Sequence, residues 1–212
     1  MDRGRLEAFS DGVFAVAITL LALGLSVAGP GHGSLAHQLA ARWPAFVAYV
    51  VSFFTVGIIW VNHHALVSNL VVVDRVLLFL NLVMLLFVVM VPFGTVTAAD
   101  YLARGGFDPR VAVAVYGAVL AGMSAGFGAM FEWSLREGRT KVPVPRDQWW
   151  AARRRFVSGG LIYLVVIGLA FASAPAAFAL TGTVAVYYVF ERTPAVPGSR
   201  TSPSGQEPDP DA

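Results

Sequence analysis

The chain has 212 residues, of which 57% are hydrophobic and 13% carry a charge, with a formal net charge of +2. Soluble domains carry about 25% charged residues, so this composition excludes an ordinary soluble enzyme or binding domain and indicates an integral membrane protein. The sequence contains no cysteine, which excludes disulfide bonds.

Six apolar segments follow one another along the chain, and most have the length of about 20 residues that a membrane-spanning helix needs. They cover residues 8–28, 44–66, 76–98, 110–131, 156–174 and 176–190, the last two separated at Pro175. The intervals between them are too short for a folded domain. We therefore predict an all-α membrane protein with one six-helix transmembrane domain over residues 1–192, in which the first segment is a retained helix.

The distribution of Lys and Arg predicts the orientation of the helices. With a cytoplasmic N-terminus, only Arg42, Arg104 and Arg110 lie outside the cell. The cytoplasmic segments then hold Arg3, Arg5, Arg75, Arg136, Arg139, Lys141, Arg146, Arg153, Arg154, Arg155, Arg192 and Arg200. Both termini are therefore predicted to be cytoplasmic, and the protein to be a multi-pass protein of the plasma membrane.

Two segments outside the apolar ones carry information about partners. The basic segment 136–155 is interpreted as a topology determinant or a contact with lipid headgroups. Since no base-stacking or groove-reading motif accompanies it, nucleic acid is rejected as a partner. Residues 193–212 are rich in Pro, Ser and Gly without apolar periodicity, which predicts a disordered cytoplasmic tail.

Polar side chains from three segments are predicted to meet at one depth near the cytoplasmic side. Arg5 and Asp11 lie in the inner third of the first helix, the second helix ends in WVNHH at 60–64, and Asn81 lies about two turns into the third. A charged side chain in lipid costs about 2.5–3.5 kcal/mol, so we expect Asp11 to face the protein interior and find partners on neighbouring helices. Two interpretations stay open: a buried hydrogen-bonded latch, or direct participation in ion movement.

Nothing in this cluster indicates catalysis, a cofactor or a fixed metal site. His63 and His64 are adjacent and therefore point about 100° apart, whereas two histidines that share a metal on one helix need i, i+4 spacing. Ser10 and Asp11 with a distant histidine do not make a credible nucleophilic site, because a membrane protein of this size offers such combinations by chance.

The first helix also carries an apolar stripe with one hydroxyl group. Its members, at i, i+3, i+4 and i+7 spacing, are Val16, Thr19, Leu20 and Leu23. Asp11 lies about 140° from Val16 and outside the stripe, which is about 100° wide. The stripe either packs against another helix, with the Thr19 hydroxyl bonded to the carbonyl of Ala15, or lines a pore in which Thr19 offers oxygen to a partly dehydrated cation. Periodicity alone does not decide between these.

The segment Arg5-Leu6-Glu7-Ala8-Phe9-Ser10-Asp11 resembles the RxxxFSD signature of the transmembrane protein 175 potassium channels. The six-segment layout, with WVNHH ending the second helix, is similar to the prokaryotic members, and the resemblance covers residues 3–192. It implies a potassium-permeable, leak-type channel in which first helices line a central pore and four chains assemble. The chain itself shows no internal repeat, so any symmetry must come from oligomerisation.

The resemblance also implies roles for individual residues. The constriction falls on Val16, a hydroxyl important for selectivity on Thr19, and further pore-facing aliphatics on Leu20 and Leu23, with potassium ions expected near Thr19. Valine is one methylene smaller than the isoleucine or leucine more usual at the constriction, so the closed gate is expected to be less tight. The family's buried polar network corresponds to Arg5, Phe9, Ser10, Asp11, Trp60, His63, His64 and Asn81.

Two alternatives remain. A proton-coupled transporter or proton-permeable channel would use Asp11, His63 and His64, although the sequence shows none of the inverted repeats or broken helices typical of secondary transporters. A non-conducting scaffold would keep the polar cluster and tolerate the loss of Thr19. Separately, a strip of small residues at Ala118, Gly122 and Gly126 predicts a close approach of another helix.

Overall fold

The computed structural model describes residues 2–102, 104, 106–142 and 146–190, and the elements in these ranges are helical. The predicted tail 193–212, together with Arg192, lies outside the described residues. The helices are α1 (Arg3–Leu21), α2 (Leu35–Ala41), α3 (Trp43–Ser68), α4 (Arg75–Leu102), α5 (Asp108–Ser134), α6 (Arg146–Ala172) and α7 (Ala174–Phe190). A 3₁₀ turn over Ala22–Gly24 extends α1.

The ends of the long helices follow from side chains that the sequence places there. Pro44 and Pro109 lie in the first turns of α3 and α5, where a missing N–H removes no helical hydrogen bond. The carboxylate of Asp74 accepts a hydrogen bond from the backbone N–H of Leu77 at 2.9 Å and so caps the start of α4. The break between α6 and α7 falls at Ser173, because Pro175 fits only the first turn of the new helix.

Six of the seven helices in the described ranges follow the predicted segments in order, with two main differences in extent and one additional short helix. The regular part of the first helix ends at Leu21 rather than at residue 28, so Leu23 lies in the 3₁₀ turn. The helix of the fifth predicted segment is α6, which begins at Arg146, ten residues before the predicted start. The short helix α2 was not among the predicted segments, because it is too short to show a membrane-spanning apolar run.

Four helices in the described part of the chain are long and apolar enough to cross a membrane by length and composition. They are Arg3–Gly24, Trp43–Ser68, Arg75–Leu102 and Asp108–Ser134. The apolar portions of the last two helices, Ser158–Ala172 and Ala174–Phe190, are shorter. The structure therefore provides four candidate spans.

The small-residue strip on α5 lies against α4 of the same chain. A Cβ atom built on Gly126 would lie 2.8 Å from the Met84 Cα, so only glycine permits the two backbones to come this close here. A Cβ atom on Gly122 would meet the side-chain ring of Phe87. The two glycines of the strip thus serve packing within the chain, whereas Ala118, its remaining residue, is exposed.

Candidate pore-lining face and polar cluster

Helix α1 packs on α3 and α4 with one face only. Its fully buried side chains are Leu6, Ser10, Phe14, Ala17 and Leu21. These residues centre about 130° around the helix from the predicted stripe, counting 100° per residue. In the single chain, Val16 is 55% exposed, Leu20 38% and Leu23 76%. The stripe is therefore not used to pack α1 against its own chain.

The hydroxyl of Thr19 is exposed and stays close to its own backbone. Its Oγ1 donates a hydrogen bond of 2.8 Å to the carbonyl oxygen of Val16. The predicted acceptor, the carbonyl of Ala15, is thus wrong by one residue, because a threonine hydroxyl in a helix can reach either the i−3 or the i−4 carbonyl. Because the hydroxyl proton is used in this bond, the lone pairs of the oxygen remain available to coordinate a cation.

Leu23 is displaced from the spacing that a regular helix would give it. The 3₁₀ turn has three residues per turn instead of 3.6, which rotates Leu23 by about 40° relative to the predicted position. The N–H of Leu25 closes this turn on the carbonyl of Ala22 at 3.0 Å. Leu23 nevertheless remains exposed, at the end of α1 farthest from Asp11.

The centre of the predicted polar cluster is a buried chain of hydrogen bonds from α3 through α4 to α1. The Nε2 atom of His63 lies 2.8 Å from Oδ1 of Asn81, the Nδ2 of Asn81 donates to Oγ of Ser10 at 3.1 Å, and Ser10 donates to the carbonyl of Leu6 at 2.9 Å. All three side chains are buried. The donors and acceptors fit if the proton of a neutral imidazole is on Nε2, an assignment made from this network.

The other nitrogen of His63 has no partner. Its Nδ1 is buried and makes no hydrogen bond in the described part of the chain, and the ring of Phe14 lies beside the imidazole at a centroid distance of 5.4 Å. A cationic imidazole would present a second buried N–H without an acceptor, which is costly. The arrangement therefore favours a neutral histidine that holds three helices together.

Two further pairs of side chains join α1 and α3 next to these buried hydrogen bonds. The indole Nε1 of Trp60 donates to Oδ1 of Asp11 at 2.9 Å, and Nδ1 of His64 lies 3.1 Å from Oε1 of Glu7. Glu7 and Asp11 are four residues apart, as are Trp60 and His64, so two successive turns of antiparallel helices pair with each other. Asp11 thus has a partner on α3, but at a partly exposed position and not in the protein interior. Glu7 was not identified from the sequence, because its contact with His64 depends on the relative register of α1 and α3.

The single chain does not bring every predicted member into this cluster. Arg5 and Phe9 lie on the exposed side of α1, the side that also carries the stripe. In the described residues, Arg5 makes no hydrogen bond or ion pair. Within the same ranges, no group of three or more His, Asp and Glu side chains is arranged to hold a metal ion.

Comparison with known proteins connects this arrangement to one family. The family model described as endosomal/lysosomal potassium channel TMEM175 matches residues 5–92, which contain α1, α3 and most of α4. A potassium channel of Streptomyces collinus is 45% identical over 209 residues, covering 96% of this chain and 99% of that protein. The match therefore extends over both the stripe and the polar cluster.

A solved structure shares the fold. The crystal structure of a lysosomal potassium-selective channel TMEM175 homologue from Chamaesiphon minutus superposes with a TM-score of 0.78 at 32% identity, covering 88% of this chain and 96% of that one. An endosomal/lysosomal proton channel TMEM175 of Homo sapiens is 40% identical over 97 residues, which are 42% of this chain and 19% of the human protein. These two bacterial relatives thus match over nearly their whole length and the human one over a short part.

Proposed function

The chain belongs to the TMEM175 family of potassium channels, and on that premise we propose that it conducts potassium through a pore lined by the α1 helices of several copies. One observation carries this proposal: α1 buries one face against α3 and α4 and leaves Val16, Thr19 and Leu20 on the surface. An exposed apolar face with a regular helical backbone is suited to line a narrow, water-poor passage. The chain is accordingly a channel and not an enzyme.

Geometry requires several copies around the pore, and the family resemblance implies how many. A stripe about 100° wide on one helix cannot enclose a passage, so α1 helices of several chains must surround a common axis. We propose a homotetramer, as the family resemblance implies. In this assembly the exposed faces of α1 meet at the axis, and the other exposed apolar faces contact neighbouring copies or lipid.

We assign the constriction of the pore and its selectivity to different side chains of the stripe. The apolar side chains Val16, Leu20 and Leu23 form a hydrophobic constriction that a hydrated ion crosses only by losing water. Four Thr19 hydroxyl oxygens then form one polar layer, and potassium ions bind transiently near it. Because a single layer replaces only part of the hydration shell, we expect modest selectivity for potassium over sodium.

The buried polar chain serves as a latch that fixes the orientation of α1. Ser10, Asn81 and His63 join α1, α4 and α3, while Trp60 and His64 hold the carboxylates on the edge of α1. A rotation of α1 that turned the stripe away from the axis would break these bonds. We include Arg5 and Phe9 in the network only in the assembled channel, because in the single chain both face outward with the stripe.

We propose that all six long helices span the plasma membrane with both termini in the cytoplasm. The apolar part of α7 has 17 residues, the lower limit of the range for a span. The 27 residues of α6 include a polar beginning, so this helix extends beyond the membrane on the cytoplasmic side. The proposed domain covers residues 1–192, and residues 193–212 form the cytoplasmic tail.

Proton transport through Asp11, His63 and His64 is not favoured. These three side chains contact Trp60, Asn81 and Glu7 respectively, so they belong to three separate interactions and not to one continuous relay. The apolar stripe lies on another face of α1. The relatives that match over their full length are named potassium channels.

Cysteine substitution tests the proposed lining directly, because the native chain contains no cysteine. Potassium flux into liposomes is measured for Thr19→Cys and Leu20→Cys before and after addition of a water-soluble, charged thiol reagent. Reagent at either position is expected to block flux. Val89→Cys is the matched control, since Val89 is 48% exposed and lies at a similar depth on α4. Block at Val89 with none at Thr19 or Leu20 would exclude α1 as the lining.

A further inference from the structure

Two cationic side chains from distant parts of the sequence converge on one backbone oxygen. The carbonyl of Ser68, the last residue of α3, accepts hydrogen bonds from Nη1 of Arg3 and, at 3.0 Å, from Nζ of Lys141. Arg3 is the first residue of α1, and Lys141 lies in the segment between α5 and α6. The two positive charges are therefore close together at the end where α1 begins and α3 ends.

Backbone hydrogen bonds hold Lys141 in this place. The N–H of Val71 donates to the carbonyl of Arg139 at 2.9 Å, and the N–H of Lys141 donates to the carbonyl of Asn69 at 2.8 Å. The side-chain oxygen of Asn69 also accepts from the N–H of Val142 at 3.2 Å. The backbone of residues 139–142 is thus held along the turn between α3 and α4, which places the Lys141 side chain within reach of Ser68.

No described carboxylate neutralises Arg3 or Lys141. In the described part of the chain, neither lies within ion-pair distance of a carboxylate, whereas Asp74 is paired with Arg139 at 3.6 Å and Glu7 with His64. Arg139 also covers the ring of Trp133 at 3.9 Å. A guanidinium has five N–H donors and an ammonium three, so one shared carbonyl leaves most donors of both groups unused.

We infer that Arg3 and Lys141 form a binding site for the phosphate of an anionic membrane lipid. A phosphate diester offers negatively charged oxygens to both cations, and such charge-assisted hydrogen bonds are strong. The site lies where apolar helices end, which is the depth of lipid headgroups. Unlike a general basic surface, it needs the convergence of α1, α3 and the α5–α6 segment. A bound lipid would fix the start of the proposed pore helix, but binding itself does not require conduction.

The test measures binding without measuring flux, so its failure is distinct from a failure of the channel proposal. Thermal unfolding of the full chain in uncharged detergent is followed while phosphatidylglycerol is added. Phosphatidylcholine, which has the same phosphate diester but no net charge, and glycerol phosphate, which has no acyl chain, serve as comparison ligands. We expect a rise in Tm with phosphatidylglycerol only, since a ligand that binds the folded state stabilises it.

Variants locate the site. Arg3→Gln and Lys141→Gln are each expected to weaken phosphatidylglycerol binding about fivefold, the effect of one basic residue near an anionic surface, whereas Lys141→Arg retains binding. Arg154→Gln is the control, because Arg154 is exposed on α6 and its side chain donates to the carbonyl of Trp150 and not to that of Ser68. Loss of a helix-capping bond alone would lower Tm without lipid and leave the lipid-dependent rise unchanged. That result would overturn the site, and so would a loss of phosphatidylglycerol binding in Arg154→Gln as large as in the Arg3 and Lys141 variants. A rise in Tm with glycerol phosphate as large as with phosphatidylglycerol would overturn the assignment of the site to a lipid.

Discussion

The imidazole of His63 on α3 and the amide of Asn81 on α4 are joined by a hydrogen bond of 2.8 Å inside the helix bundle. Asn81 is the central member of the latch, because its oxygen contacts His63 while its nitrogen donates to Ser10 on α1. Replacement of this one side chain leaves Nε2 of His63 without a partner and leaves Ser10 with only its bond to the carbonyl of Leu6.

We predict that Asn81→Leu destabilises the protein by about 1–3 kcal/mol, because it leaves the buried Nε2 of His63 without a partner. The measurement is thermal or denaturant unfolding of the purified chain in detergent. Asn62→Leu is the control, because the Asn62 side chain bonds only to the carbonyl of Ile58 in its own helix, at 2.8 Å. Equal losses in both variants would show that the latch has no special role.

The latch illustrates what the sequence allows to be predicted. The depths of Ser10, His63 and Asn81 follow from helical rise and from the order of the segments, and these three side chains do meet. Which face each residue occupies is harder to predict, because it depends on how the helices rotate when they pack. Arg5 and Phe9 share the signature with Ser10 but lie on the opposite side of α1.

Other differences have local physical causes. The packing of α1 on α3 brings Glu7 to His64, a contact that requires the relative register of two helices and not the pattern of either. The end of α1 is set by an i to i+3 hydrogen bond at Leu25, while the apolar run continues beyond it. Hydropathy therefore predicts that an apolar helix exists but not where regular helical geometry stops.

The pair formed by Glu7 and His64 is expected to contribute little to stability. Their side chains are 22% and 51% exposed, with 3.1 Å between Nδ1 of His64 and Oε1 of Glu7. A surface pair as accessible as this one typically contributes less than about 1 kcal/mol. A double-mutant cycle with Glu7→Gln and His64→Gln, measured by unfolding in detergent, should give a coupling energy below that value. A coupling above about 2 kcal/mol would assign this pair to the latch as a main member.

Addition of one methyl group distinguishes two glycines of α5. Gly126→Ala places a Cβ atom 2.8 Å from the backbone of Met84, and such overpacking costs about 1–3 kcal/mol. Gly128→Ala meets nothing within 4 Å and should be neutral or stabilising by up to about 1 kcal/mol, because alanine favours the helix. Unfolding of both variants under the same conditions provides the comparison. A Gly126→Ala variant as stable as Gly128→Ala would contradict the close approach of α4 and α5.

Val16→Asn is expected to raise potassium flux through the proposed constriction. An amide attracts water to a site where valine excludes it, and a barrier lower by about 1.4 kcal/mol corresponds to about tenfold faster passage. The measurement is potassium-driven flux in proteoliposomes at equal protein density. Val89→Asn, at similar depth on the exposed face of α4, should leave flux unchanged. A rise in both variants would indicate a leak caused by disturbed packing and not a widened pore.

Two substitutions of Thr19 separate the role of its oxygen from that of its shape. Thr19→Val keeps the branched side chain but removes the hydroxyl, so the potassium-to-sodium permeability ratio should fall towards one. Thr19→Ser keeps the oxygen and should retain most of the preference. Neither change should unfold the helix, because the bond from Thr19 to the carbonyl of Val16 is local and exposed. Reversal potentials under bi-ionic conditions measure the ratio. If Thr19→Val and Thr19→Ser alter it equally, the shape of the side chain, and not its oxygen, sets selectivity at this layer.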